Sequence, residues 1–189
     1  MKLLVIADNS DNWLSDEWMR SVAQGCDAVL TLGDMYRHDL EKVTVTETPM
    51  LGVYGNHCRR NYIAELGGVE CAGGVDTIAL VKQTVLGTTL GVNGCVRYST
   101  AKDFQHTQEE YENALRVMPS ADIVVTHAPP KGINDHEDEA HNGIDALLEW
   151  VDTYRPAHLF HGHTYPENPV TRYRGTEIHY VHGYAVIDI

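Results

Sequence analysis

Six side chains with metal or proton-transfer chemistry follow directly on apolar runs. Asp8 follows "LLVIA", Asp34 follows "AVLTLG", Asn56 and His57 follow "PMLGVYG", His127 follows "DIVVT", and His163 follows "AHLFHG". A single histidine at a strand end is usually structural, and an isolated "GD" or "GN" is usually a turn. Metal-competent groups after five apolar runs point instead to convergence. In open α/β sheets, ligands gather outside the carboxyl ends of the strands. Two carboxylates, one amide oxygen and two imidazoles suit Mn, Fe or Zn better than Mg or Ca, which take oxygen shells. Glycines at 33, 55 and 162 precede three of these residues and let the backbone turn and approach an ion closely.

The elements that must carry these groups read as alternating strands and helices. Strands are expected at 3–7, 28–32, 49–55, 122–126 and 157–160, from short β-branched or apolar runs. Helices are expected at 12–23, 59–66, 107–117 and 143–154. The Gly-, Thr- and Val-rich middle, 69–96, reads as short strands in antiparallel hairpins. A polar loop spans 128–142, and the last twenty residues read as strands with a turn at Arg174-Gly175. "MKLLVIA" is too short for a secretory signal and reads as a first buried strand. The expectation is one domain over 1–189, of α/β class.

Taken in order, Asp8, "GD" at 33–34, "GNH" at 55–57, "THAPP" at 126–130 and "GH" at 162–163 resemble the motifs of the calcineurin-like metallophosphoesterases. The resemblance runs over almost the whole chain, including the closing "HGYAVIDI". It implies two packed mixed β-sheets flanked by helices, with a metal centre at their edge. It also implies that Asp34 bridges two ions, that Asn56, His127 and His163 complete one of them, and that Asp8 holds the other. His57 would bind a phosphate oxygen or protonate the leaving group. The implied activity is metal-dependent hydrolysis of a small phosphomonoester or phosphodiester by metal-activated water, with His57 as general acid and one or two divalent transition metal ions as cofactor.

Two departures fall on one ion. The family carries Asp-x-His where this chain has Asp8-Asn9-Ser10, and Gly-His-x-His where it has Tyr165 in the last position. Asp8, Asp34, Ser10 and water would form an oxygen-rich shell, or His38, His161 or His182 would reach in; a plain strand residue is the blander reading of His182. Cys58 stands where the family often has an acid, and its blander reading is a small buried residue. Arg59, Arg60 and Ser10 are candidates for substrate contact. His136 and His141 lie among acids in the loop, where a solvated acidic segment is the default. The missing histidines also keep a second reading in play, a non-catalytic protein-binding scaffold on the same fold.

Composition narrows the partners. With 14 basic against 27 acidic residues the formal charge is −13, which disfavours binding to a nucleic-acid backbone or an anionic membrane. No apolar run reaches the ~20 residues of a membrane span. Four cysteines without a CxxC pair suggest neither a zinc knuckle nor a disulfide framework, and a cytoplasmic setting is expected. Nothing in the sequence fixes the oligomeric state.

Overall fold

The computed structural model describes residues 1–8, 16–44, 46–58, 62–100 and 103–189. The first large sheet holds β1 (Lys2–Ala7), β2 (Ala28–Thr31), β3 (Met50–Gly52), β4 (Val69–Glu70) and β13 (Gly183–Asp188), in the order β13-β1-β2-β3-β4. The second holds β5 (Ala79–Thr84), β6 (Gly87–Val92), β9 (Ile123–Thr126), β10 (His158–His161), β11 (Val170–Tyr173) and β12 (Thr176–Tyr180), in the order β11-β12-β10-β9-β6-β5. Both are mixed: β1 is parallel to β2 and antiparallel to β13, while β10 is parallel to both β9 and β12, and β11 and β5 pair antiparallel at the edges. A small parallel pair joins β7 (Cys95–Val96) to β8 (Gln105–His106). The expected architecture of two packed mixed sheets with flanking helices is the one observed.

Alternation along the strands builds the layers. Leu3, Val5 and Ala7 point into the core between the sheets with Leu30, Leu51, Val125 and Phe160. Leu4 and Ile6, one residue out of phase, pack on the other face against Met19, Ala23, Leu40 and Ile63. These last belong to α1 (Asp16–Gln24), α2 (Arg37–Thr44) and α3 (Tyr62–Glu65). On the outer face of the second sheet, Leu159 and Ile178 meet Tyr111 and Leu115 of α4 (Gln108–Leu115) and Leu147, Trp150 and Val151 of α5 (Asp145–Tyr154). A strand buried on both faces cannot alternate apolar with polar, which is why "LLVIA" is a continuous apolar run.

The expected strands are present with shifted bounds, and the helices at 107–117 and 143–154 in shortened form. Thr107 caps α4 through a reciprocal pair with Glu110, so that helix begins where its sequence signals it. The expected helices at 12–23 and 59–66 are seen as α1 and α3, their first residues lying outside the described segments. The middle is only partly hairpin. β5 and β6 are antiparallel, but β4 joins β3, and β6 joins β9, in parallel. Helix α2, which buries Leu40 and Val43, is unanticipated.

Candidate metal centre

The five strand ends come together along one edge of the two sheets. Asp8 follows β1, Asp34 follows β2, Asn56 follows β3, His127 follows β9 and His163 follows β10. Three of them sit at positive φ, Asp8 at 50°, Asp34 at 54° and His163 at 66°. Non-glycine residues there cost free energy that the surrounding fold must overcome, and such strain collects at functional sites. The neighbouring glycines make room for the acids. A Cβ on Gly55 would lie 2.3 Å from Asp34 Oδ1 and 2.6 Å from His127 Cε1, and one on Gly162 would lie 2.8 Å from Asp8 Oδ2.

Four of the expected ligands converge. Asp8, Asp34 and His127 each offer an atom within 4.8 Å of the others'. His127 Nε2 is 3.3 Å from Asp34 Oδ2 and 3.0 Å from Asn56 Oδ1. The other ring nitrogen, Nδ1, donates to the Leu32 carbonyl at 2.8 Å, which fixes the ring so that Nε2 faces the two oxygens. His163 is adjacent but turned. Its ring centroid lies 4.8 Å from that of His127, while its Nε2 donates to the Ala140 carbonyl at 2.7 Å. The main-chain N–H of His163 donates to Asp8 Oδ2 at 3.0 Å, locking the first and last strand ends together.

The electrostatics of the centre bear on which groups could hold a cation. Burial alone would raise the Asp34 carboxyl, but the His127 imidazolium and the His57 backbone N–H outweigh it and bring it down to about 2. Burial would likewise lower His127, and Asp34 reverses this, raising it to about 9. The acceptor oxygens that face Nε2 thus favour a charge on this fully buried ring. A divalent ion would satisfy the same atoms and leave the imidazole neutral, as ligation requires. His163, pushed down to about 3 chiefly by burial, is already neutral. The donor set therefore fits a divalent metal.

A pH dependence follows. Asp34 is depressed below its ordinary 3.8, so its contribution to stability is present above about pH 4 and lost as pH falls through about 2. His127 is elevated above 6.5, so its contribution is full below 6.5 and lost as pH rises through about 9. Chelator-treated protein is expected to lose several °C in Tm between about pH 6.5 and 9.5 in differential scanning calorimetry. The metal-loaded protein should hold its Tm over that range, and equal losses in both forms would contradict the assignment.

The centre opens into a cleft of about 330 Å³, lined among others by His57, Tyr36, Tyr98, His141, Tyr165 and His182. His57 is exposed, and its main-chain N–H donates to Asp34 Oδ1 at 2.7 Å. Tyr98, which nothing in the sequence marks, accepts a hydrogen bond from Asn56 Nδ2 at 2.9 Å and so aims Asn56 Oδ1 at His127. Tyr98→Phe is expected to weaken metal binding about tenfold with the fold intact, measured by metal titration. An unchanged affinity would show that Asn56 holds its orientation without help.

The structure separates the alternative donors. His182 is more than a strand residue: it precedes β13 with Nδ1 4.0 Å from Asp8 Oδ2, and its ring lies edge-on to Tyr165 at 5.4 Å. That correction follows from the antiparallel pairing of β13 with β1, which brings Gly183 opposite Ala7. His161 points away. Its Nε2 accepts from Asn134 Nδ2 at 2.9 Å, its Nδ1 donates to the Gly162 carbonyl, and burial lowers it to about 4. His38 stacks on Tyr36 and pairs with Asp39, outside the cleft lining. The acidic loop is not wholly solvated, since His141 lines the cleft with its ring 5.3 Å from that of His163. Ser10, Arg59 and Arg60 lie outside the described residues.

Cys58 is buried and structural. Its Sγ accepts from the main-chain N–H groups of Asp34 and Gly55 at 3.1 and 3.0 Å and contacts the Tyr62 hydroxyl at 2.9 Å. Burial, with the Asp34 charge beside it, pushes the thiol up to about 12, so it is not a nucleophile at neutral pH. It holds the two turns that present Asp34 and Asn56.

Comparison with known proteins bears on the family and the fold. No curated protein matches the chain in sequence. Among solved structures, the TT1561 protein of Thermus thermophilus superposes with a TM-score of 0.67 at 11% identity, covering 99% of this chain and 93% of that one. A phosphopantetheinyl hydrolase from Mycobacterium tuberculosis gives 0.58 at 14% identity, covering 96% and 89%. A dimetal phosphatase from Danio rerio gives 0.54 at 12%, covering 98% and 91%. At these identities the likeness is one of fold. The sequence profile of the calcineurin-like phosphoesterase superfamily domain matches residues 1–176, and with the strand-end centre described above it places this chain in that superfamily.

Proposed function

We propose that this protein is a metal-dependent phosphoesterase hydrolysing a small phosphomonoester or phosphodiester. The observation that carries the proposal is the convergence of Asp34 Oδ2, His127 Nε2 and Asn56 Oδ1 at the base of an open cleft. Asp34, Asn56, His127 and His163 would hold one divalent ion, His163 Nε2 being the donor that the Ala140 carbonyl engages here. Asp8 and Asp34 would hold a second ion, and His182, with Nδ1 4.0 Å from Asp8 Oδ2, stands beside Asp8. The mixed nitrogen and oxygen donors favour Mn, Fe or Zn. When bound, such an ion supplies a water of lowered pKa and neutralises phosphoryl charge.

The chain's own groups do the rest. Asp34 stays ionised through the physiological range and holds the His57 backbone in place. The exposed His57 ring, at the mouth of the cleft, donates a proton to the departing oxygen. Tyr36, Tyr98 and Tyr165 form an aromatic and hydroxyl-bearing rim for the organic part of the substrate. A cleft of about 330 Å³ in a chain of charge −13 suits a small phosphorylated molecule rather than a polyanion.

The experiment is metal per chain by elemental analysis, after purification without chelator and again after Mn²⁺ loading, followed by a panel of small phosphate esters. Bound metal with metal-dependent turnover is the expected result. No metal after loading would sink the hydrolase reading. The replacement of two family histidines by Ser10 and Tyr165 favours a second reading, a binding scaffold, and metal bound without any turnover on the panel would support it.

A further inference from the structure

A second group of metal-competent side chains lies at the other end of β10, away from the cleft. His158 opens β10, and in the parallel register it sits opposite Glu177 of β12, with Phe160 opposite His179. Residues two apart share a face of a strand, so His158, Glu177 and His179 stand together on one side. That is the side on which Phe160 enters the core between the sheets, and His179 stacks flat on the Phe160 ring at 4.7 Å and 13°. His179 is buried at 3% exposure, while His158 and Glu177 are partly open to solvent.

Each of the three offers one ligand atom within 4.8 Å of the other two. His158 Nδ1 is 3.2 Å from His179 Nε2, and His179 Nε2 is 3.6 Å from Glu177 Oε1. Donor atoms bound tetrahedrally at ~2.0–2.1 Å stand about 3.3 Å apart, close to the first of these separations and somewhat shorter than the second, so small side-chain adjustments would bring the three atoms onto one ion. Three atoms that carry lone pairs otherwise crowd one point. Arg172 of β11 holds the other carboxylate oxygen, Oε2, through Nε and Nη2 at 3.2 and 3.0 Å, leaving Oε1 aimed at the histidines. A carboxylate so oriented is the usual companion of a ligand set.

We propose that His158, Glu177 and His179 form a second, separate metal site that takes a zinc-like divalent transition metal, with water completing a tetrahedral shell from the exposed side. Two imidazoles and one carboxylate suit Zn²⁺ and exclude Mg²⁺ and Ca²⁺ as preferred occupants. The ion clips β10 to β12, and β10 is the strand that delivers His163 to the cleft. The site is independent of the proposed phosphoesterase activity, since it shares no residue with that centre.

The test uses the full chain with Asp34→Asn, so that the cleft's own metal binding is weakened and its activity plays no part. After chelation and dialysis, Co²⁺ is titrated as a spectroscopic substitute for zinc, and bound cobalt is followed by elemental analysis and visible absorption. The expected result is the intense visible bands of four-coordinate Co²⁺ at one ion per chain. Adding His158→Ala is expected to remove that ion and the bands. Because that change could disturb the strand pair, Glu177→Gln is measured as well; it keeps the shape of the side chain, and at least a roughly tenfold weaker Co²⁺ affinity is expected. Absence of tetrahedral bands in the Asp34→Asn protein would overturn the proposal. So would cobalt content and affinity unchanged by both second substitutions.

Discussion

Asp34→Asn is expected to reduce turnover of any phosphate ester by at least about 10³-fold, or about 4 kcal/mol in transition-state stabilisation. The substitution preserves shape and can still accept the 2.7 Å hydrogen bond from the His57 main chain. What it removes is the charge that His127 Nε2 faces at 3.3 Å and the carboxylate that two ions would share. The loss should appear in kcat and in metal content together. Folding is expected to survive at reduced stability, because His127 loses its charged partner but can become neutral and so leaves no unpaired buried charge. Without that carboxylate, burial dominates His127 and lowers its pKa, so the rise to about 9 should vanish from a histidine titration followed by NMR. Retained turnover in a folded Asp34→Asn protein would show that the convergence of Asp34, Asn56 and His127 is not where the chemistry occurs.

His57→Ala is expected to lower kcat about 10²- to 10⁴-fold, the usual range for a positioned proton donor. The ring is exposed and its backbone is tied to Asp34, so the variant should fold and bind metal as the native chain does. The informative comparison is between leaving groups. An alkyl phosphate needs its departing oxygen protonated, whereas a nitrophenyl phosphate scarcely does. The loss should therefore be large for the alkyl ester and small for the nitrophenyl one. Equal losses would assign His57 to phosphate binding instead, the other role that its place after Asn56 allows. No effect on either ester, in a protein that binds metal, would favour the scaffold reading.

Much of this centre is legible in the order of residues because ligands and fold share a local rule. A strand buried on both faces is a continuous apolar run, and its polar end must emerge where the run stops. "LLVIA" followed by Asp8 and "IVVT" followed by His127 announce both a strand and the place of a candidate ligand. The glycines are similarly readable, since Gly55 and Gly162 sit where a Cβ would strike Asp34 or Asp8. The mixed nitrogen and oxygen donor types read from the sequence are the basis for expecting a transition metal rather than calcium.

What the sequence leaves open depends on contacts between distant residues. His161 and His163 are two apart and look equivalent, yet the backbone turn at Gly162 and His163 sends one to Asn134 and the other to the cleft. Tyr98 meets Asn56, and His182 meets Asp8, only because sheet order and strand register bring them there. The cluster of His158, Glu177 and His179 exists only through the parallel register of β10 on β12, which hydrophobic patterning does not specify. Periodicity along a chain sets which residues face inward. Which of those residues face each other is decided by pairing across the sheet, where burial of the whole apolar surface, rather than any local preference, chooses the arrangement.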